Sequence, residues 1–147
     1  MGEKIPEAVA SQLISVPPGQ VWNALTDPTV IKKYFLGTEV NTSWRVGEPI
    51  TFKGEWQGKH YEDKGVVLSH EPEHRLSISH YSPLTGLPDV PENYHSVEYR
   101  VEQEAEGTRV TITQGNNKSE SEVGESAKLW DMVLQNLKEL LEHPGGH

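Results

Sequence analysis

The stretch 119–142 constrains the fold more than any other part of the chain. Val123, Ala127, Trp130, Leu134, Leu137 and Leu141 recur at steps of four and three. That spacing places all six on one face of an α-helix. Leu129, Met132, Val133 and Leu140 widen the face, and Ser119 with Glu122 has the spacing of a capping box. Pro144-Gly145-Gly146 breaks the pattern, so the helix is predicted to run to about Glu142. A long helix with one apolar side needs an apolar layer to cover, and the upstream sequence must supply it.

That layer reads as a sheet. Residues 8–16 end at Pro17-Pro18 and read as a first strand. Val21, Trp22, Ala24 and Leu25 form a short helix. Asp27-Pro28 then starts a second one, carrying Val30, Ile31, Tyr34 and Phe35, with Gly37 to close it in the left-handed conformation. Ile50, Phe52, Gly54 and Trp56 alternate with polar residues at period two, and Gln57-Gly58 is a tight-turn signal. Strand-like runs follow at 60–69, 76–81, 97–102 and 110–113, with turns at Glu71-Pro72-Glu73 and Glu106-Gly107. Consecutive strands with segregated helices predict an α+β fold. It consists of a curved antiparallel sheet of about six to seven strands, two short helices and the long C-terminal helix. One domain spans 1–147, with its core at about 8–142. Such a sheet and helix need not meet along their whole length, so a hollow between them is expected.

Composition removes several function classes. Of 147 residues, 22 are acidic and 13 basic, giving a formal charge of −9. This balance repels phosphate backbones and argues against a nucleic-acid partner. No apolar run approaches the ~18 residues of a membrane-spanning helix. The first ten residues lack the basic-then-apolar pattern of a secretory signal, so a cytoplasmic location is expected. There is no cysteine, which excludes disulfides, thiolate metal sites and a cysteine nucleophile. No cofactor-binding motif occurs: there is neither a G-x-G-x-x-G run nor a phosphate loop.

The chain resembles the family of activators of the 90-kilodalton heat-shock protein ATPase, within the START-like (SRPBCC) helix-grip superfamily. The resemblance is carried by Pro17-Pro18 with Val21-Trp22-Asn23-Ala24-Leu25-Thr26-Asp27-Pro28 and by Tyr34-Phe35. It continues through Gly65-Val66-Val67, Glu71-Pro72, Arg75-Leu76 and Gly107-Thr108-Arg109-Val110-Thr111-Ile112, and ends on Trp130 with Leu134, Leu137 and Leu141. It covers about 8–142. It implies an incomplete antiparallel sheet gripping the C-terminal helix, with a pocket between them that takes lipids, sterols, polyketides or other apolar molecules. It also implies a stress-response context and a chaperone as a further candidate partner. The eukaryotic co-chaperones of the family add a separate N-terminal domain with an Asn- and Trp-rich motif. This sequence shows no such motif, and one helix-grip domain is expected to fill it.

The residues themselves give few catalytic signals. His70-Glu71-x-x-His74 matches the zinc-protease string, but that chemistry needs both His on one helical turn. Pro72 would break such a helix, so the string reads as a solvated turn and no metal site is expected. His60, His80 and His95 each fall on a strand, and His80 can meet His95 across the sheet. No serine sits in a nucleophile elbow. The aromatics say more: Trp56, Tyr61, Tyr99 and Trp130 lie on elements expected to face the hollow, with Leu134 on the same helix. Tyr and Trp add a polar handle to an apolar wall, which suits a greasy ligand with one or two polar groups. The Pro-rich connection 82–94 carries Leu84 and Leu87, which a solvated loop would not need, and reads as a lid or a structural cap.

The expected function is therefore non-enzymatic binding of a small, largely apolar molecule in a cavity lined by Trp56, Tyr61, Tyr99, Trp130, Leu134, Leu84 and Leu87. Two alternatives stand beside it: a co-chaperone-like interaction module, and an enzyme using a pocket His or Tyr as general acid or base.

Overall fold

The computed structural model describes residues 5–143. Strand β1 (Ala8–Ile14) leads into helices α1 (Pro18–Thr26) and α2 (Pro28–Tyr34). Six strands follow: β2 (Glu39–Thr42), β3 (Pro49–Trp56), β4 (Lys59–Glu71), β5 (Arg75–His80), β6 (His95–Glu104) and β7 (Gly107–Gly115). Helix α3 (Glu120–Glu142) closes the chain. The strands form one antiparallel sheet in the order β1-β7-β6-β5-β4-β3-β2. The sheet curves around α3, giving the α+β architecture that the sequence pattern predicts and the helix grip that the family resemblance implies.

The local signals act largely as written in the sequence. Asp27 caps α2 by accepting the Thr29 amide at 3.0 Å, and Pro28 opens the helix. Gly37, at φ +76°, closes the following turn by donating its amide to Lys32 O at 3.1 Å. Gln57 and Gly58 both have positive φ, as a two-residue hairpin between Trp56 and Lys59 requires. Strand β2 carries no sequence signal. It is four residues long and buries only Val40 fully, too little to show a period of two.

The sheet bends where β4 changes its pairing with β5, between Val67 and Ser69. Close by, a Cβ on Gly65 would fall 1.8 Å from the Ser79 carbonyl oxygen, so the backbones approach there only because the residue is glycine. The capping box of α3 is displaced by one residue. Ser119 Oγ accepts the Glu122 amide at 3.1 Å, but the Glu122 carboxylate reaches the Lys118 amide at 2.6 Å rather than that of Ser119.

The core forms between the concave sheet face and α3. Trp130, Val133, Leu134 and Leu137 of α3 meet Ala10 and Ile14 of β1, Val110 and Ile112 of β7, and Val21 and Leu25 of α1, all buried. Each Val, Leu or Ile among them contributes roughly 1.5–3 kcal/mol on burial. Full burial along α3 begins only at Trp130, while Val123 and Ala127 in its first half are half-buried. The helix is thus held tightly along its second half, and the space beneath its first half is open to other use.

Candidate functional site

That space is a cavity of about 330 Å³. Its walls come from β3 to β7, from α3 and from two connections. Leu129 and Trp130 descend from α3, and Phe35, Leu36 and Thr38 come from the turn after α2. Phe52 of β3, Tyr61 and Asp63 of β4, and Ile78 and His80 of β5 form one side. Val97 and Tyr99 of β6 with Gln114 of β7 form the floor, and Leu84 comes from the 82–94 connection. The size and the mainly apolar lining are those of a small-molecule site.

The aromatic walls are fixed by one another and by hydrogen bonds. Phe35 and Tyr99 each set a ring edge-on to Trp130, with centroids 5.4 and 6.1 Å away. The Trp130 indole Nε1–H donates to Gln114 Oε1 at 2.9 Å. Gln114 Nε2 in turn donates to Asn117 Oδ1 and Ser126 Oγ, both at 2.9 Å. Both ends of this nearly buried amide are therefore occupied, and it serves to hold Trp130. Tyr99 is different. Burial pushes its phenol well above the ordinary tyrosine range, and the residue lines the cavity.

Tyr61 stands opposite Gly54 in the β3–β4 register. A Cβ on Gly54 would fall 2.5 Å from the Tyr61 hydroxyl oxygen, so the glycine makes room for the ring. The Tyr61 hydroxyl lies 3.4 Å from Thr38 Oγ1. Two residues on, Asp63 is 9% exposed and pairs through Oδ2 with His80 Nε2 at 2.9 Å. The His80 ring also packs edge-on against Phe52, with centroids 5.3 Å apart.

The mouth is greasy. Leu36, Leu84 and Leu129, from three separate elements, are 49%, 54% and 38% exposed, yet all line the cavity. The connection that carries Leu84 is anchored rather than loose. Tyr81 donates its hydroxyl to Leu87 O at 2.6 Å and stacks on Tyr94 at 5.2 Å. Tyr94 donates to Asp89 Oδ1 at 2.6 Å, and Asp89 pairs with Lys64.

The sequence profile described as "Activator of Hsp90 ATPase homolog 1-like protein" matches residues 15–142. The chain belongs to that family. As a member of the Activator of Hsp90 ATPase homolog 1-like family, it is similar to the solution structure of ChR145 from Cytophaga hutchinsonii. The two share 42% identity over 99% of this chain and 100% of the other, with a TM-score of 0.85. It shares its fold with NE0264 from Nitrosomonas europaea, at 20% identity, TM-score 0.76 and coverage of 99% and 100%. It also shares the fold of DynU16, a protein of the dynemicin biosynthetic locus, at 21% identity and TM-score 0.78, covering 94% of this chain and 48% of that one. No curated protein sequence matches the chain.

In this family member, Tyr61, Tyr99, Trp130 and Leu84 come together around the cavity. Leu134, at 0% exposure, packs in the core below it, and Leu87 lies outside the lining. Trp56 ends β3, and its side chain lies outside the described residues. The sequence reading passed over Asp63, although it follows Tyr61 at the strand period and precedes the buried Val67 by four. It also passed over Phe35, Phe52 and Gln114 as wall residues. His80 and His95 are register partners, but His95 turns to Glu122 at 3.2 Å while His80 takes Asp63. His70 lies in β4 with its ring 5.4 Å from that of Trp22, and His74 lies in the turn that follows. Among the described residues no group of three or more His, Asp or Glu is placed to hold a metal ion. No described helix is long and apolar enough to cross a membrane.

Proposed function

We propose that this protein binds a small, largely apolar molecule in the cavity beneath the first half of α3 and carries out no chemistry on it. The observation that carries this reading is the wall itself: apolar and aromatic side chains from four strands, α3 and two connections enclose the space, with only a few polar groups among them. An apolar space of this size gains from burying hydrocarbon, and a few fixed polar groups set orientation. Native mass spectrometry and amide chemical-shift mapping with a panel of lipids, sterols and flavonoid-like aromatics test it. Binding that shifts Trp130, Tyr99 and Leu84 supports it. A panel without a single binder, or shifts confined to the convex face of the sheet, overturns it.

A second reading rests on the family description: a co-chaperone-like module acting on the 90-kilodalton heat-shock chaperone. Chaperone ATP turnover with and without this protein distinguishes it, and unchanged turnover together with no complex removes it.

A further inference from the structure

The cavity holds one polar pair that the binding of an apolar molecule does not explain. Asp63, nine-tenths buried, takes His80 Nε2 at 2.9 Å through Oδ2. Its other oxygen, Oδ1, is buried with no hydrogen-bond partner among the described residues. An unpaired buried carboxylate oxygen is costly, and an apolar residue at this position would be cheaper for stability alone. The arrangement therefore calls for a use.

The chemistry of the pair defines that use. A carboxylate accepts and does not donate, so it fixes the proton of a neutral imidazole on Nε2. Nδ1 is then left as a lone pair, and it has no partner among the described residues. The side chain of His80 is 30% exposed and lines the cavity, and the edge-on contact with Phe52 holds the ring in place. An oriented, accessible acceptor in an apolar wall selects a ligand that can donate.

We infer that the Asp63–His80 pair is a recognition subsite for a hydroxyl group on the ligand. His80 Nδ1 accepts the ligand O–H, and Asp63 is the positioning residue that sets the tautomer. The ligand class is then a largely apolar alcohol or phenol rather than a pure hydrocarbon, an ether or an ester. This inference rests on the cavity being a ligand site, and its test separates the two.

The test uses three probes of nearly one shape on the intact protein: 2-naphthol, which donates; 2-methoxynaphthalene, which only accepts; and 2-methylnaphthalene, which does neither. Titration calorimetry is expected to show the naphthol binding about tenfold tighter than the other two, the worth of one hydrogen bond in a dry site. In His80→Phe the three affinities become equal while that for 2-methylnaphthalene is retained. In His80→Gln, whose amide oxygen can still accept, part of the preference returns. Long-range proton–nitrogen NMR of the His80 ring reports the proton on Nε2 in the wild type and a mixture of tautomers in Asp63→Leu, and in that variant the naphthol preference falls while 2-methylnaphthalene binding is retained, which a merely structural role for Asp63 would not produce. Equal binding of all three probes to the wild type overturns the subsite and leaves the cavity reading standing. A naphthol preference that survives in His80→Phe also overturns it, since the hydroxyl then meets another group. Failure of all three probes to bind overturns the subsite, and failure of the lipid, sterol and flavonoid panel as well overturns the cavity reading with it.

Discussion

Trp130 and Gln114 are joined by a hydrogen bond of 2.9 Å from the indole Nε1–H to the amide Oε1, and the rest of the Gln114 amide is tied to Asn117 and Ser126. This bond locks an aromatic ring that belongs both to the core and to the cavity. Gln114→Leu leaves the indole N–H, Asn117 Oδ1 and Ser126 Oγ each one partner short. The expected cost is about 1–3 kcal/mol, read from urea unfolding. A change below about 0.5 kcal/mol would show that Trp130 is held by packing alone.

Leu134 and Leu129 are five residues apart on α3, yet one is fully buried and the other stands at the mouth of the cavity. Leu134→Ala is expected to lose about 2–5 kcal/mol of stability through the void it leaves. Leu129→Ala is expected to stay within about 0.5 kcal/mol of the wild type and to weaken ligand binding instead. Paired melts and titrations check both, and equal stability losses would contradict this placement of the cavity.

Gly54 makes room for Tyr61 across the β3–β4 ladder. Gly54→Ala forces the Tyr61 ring out of its position, because the new methyl group would overlap it. Ligand affinity is expected to fall about fivefold, the equivalent of ~1 kcal/mol for one aromatic contact. Tyr61 ring resonances should move even without ligand. Unmoved resonances would mean that the strand pair, not the ring, gives way.

Glu142 Oε2 joins the two ends of the fold: it accepts the Ser15 amide at 2.8 Å and the Lys138 ammonium at 2.7 Å. Lys138 also donates to Leu13 O at 3.1 Å. The Lys138 hydrogen bond first, and then the Ser15 amide, hold the Glu142 carboxyl below its usual value of 4.5. A depressed folded-state pKa gives stability that is fully present above 4.5 and is lost as pH falls through the lower folded-state value. Glu142→Gln is therefore expected to be less stable than the wild type at pH 7, with the gap closing in acid. Denaturant midpoints at pH 7, 5 and 3 check this, and a gap that stays constant with pH would rule the charge out as its cause.

Much of this fold is legible in the sequence because its signals are local. The steps of four and three from Val123 to Leu141 specify α3, since a helix places those residues on one side whatever surrounds it. Alternation at Ile50–Phe52 and at Val97–Tyr99–Val101 specifies inward strand faces for the same reason. Asp27-Pro28 and Gln57-Gly58 act within a few bonds of themselves, and both behave in the structure as their chemistry requires.

The tertiary structure decided which inward-facing residues meet other side chains and which meet a space. Periodicity assigns Leu134 and Trp130 to one helix face but carries no information on how far the sheet stands from each. That distance is set by the curvature of the sheet and by where β1 and α1 grip the helix. Glu122 was expected to satisfy its own helix start; the incoming chain brings it the Lys118 amide and His95 instead. Asp63 and His80 are 17 positions apart on adjacent strands, and they meet only because the bulge at Val67/Ser69 sets their register. By itself the sequence determined a helix to be gripped and a sheet to grip it. The fold determined where that grip leaves room for a ligand, because the room is a property of the distance between elements and not of any one of them.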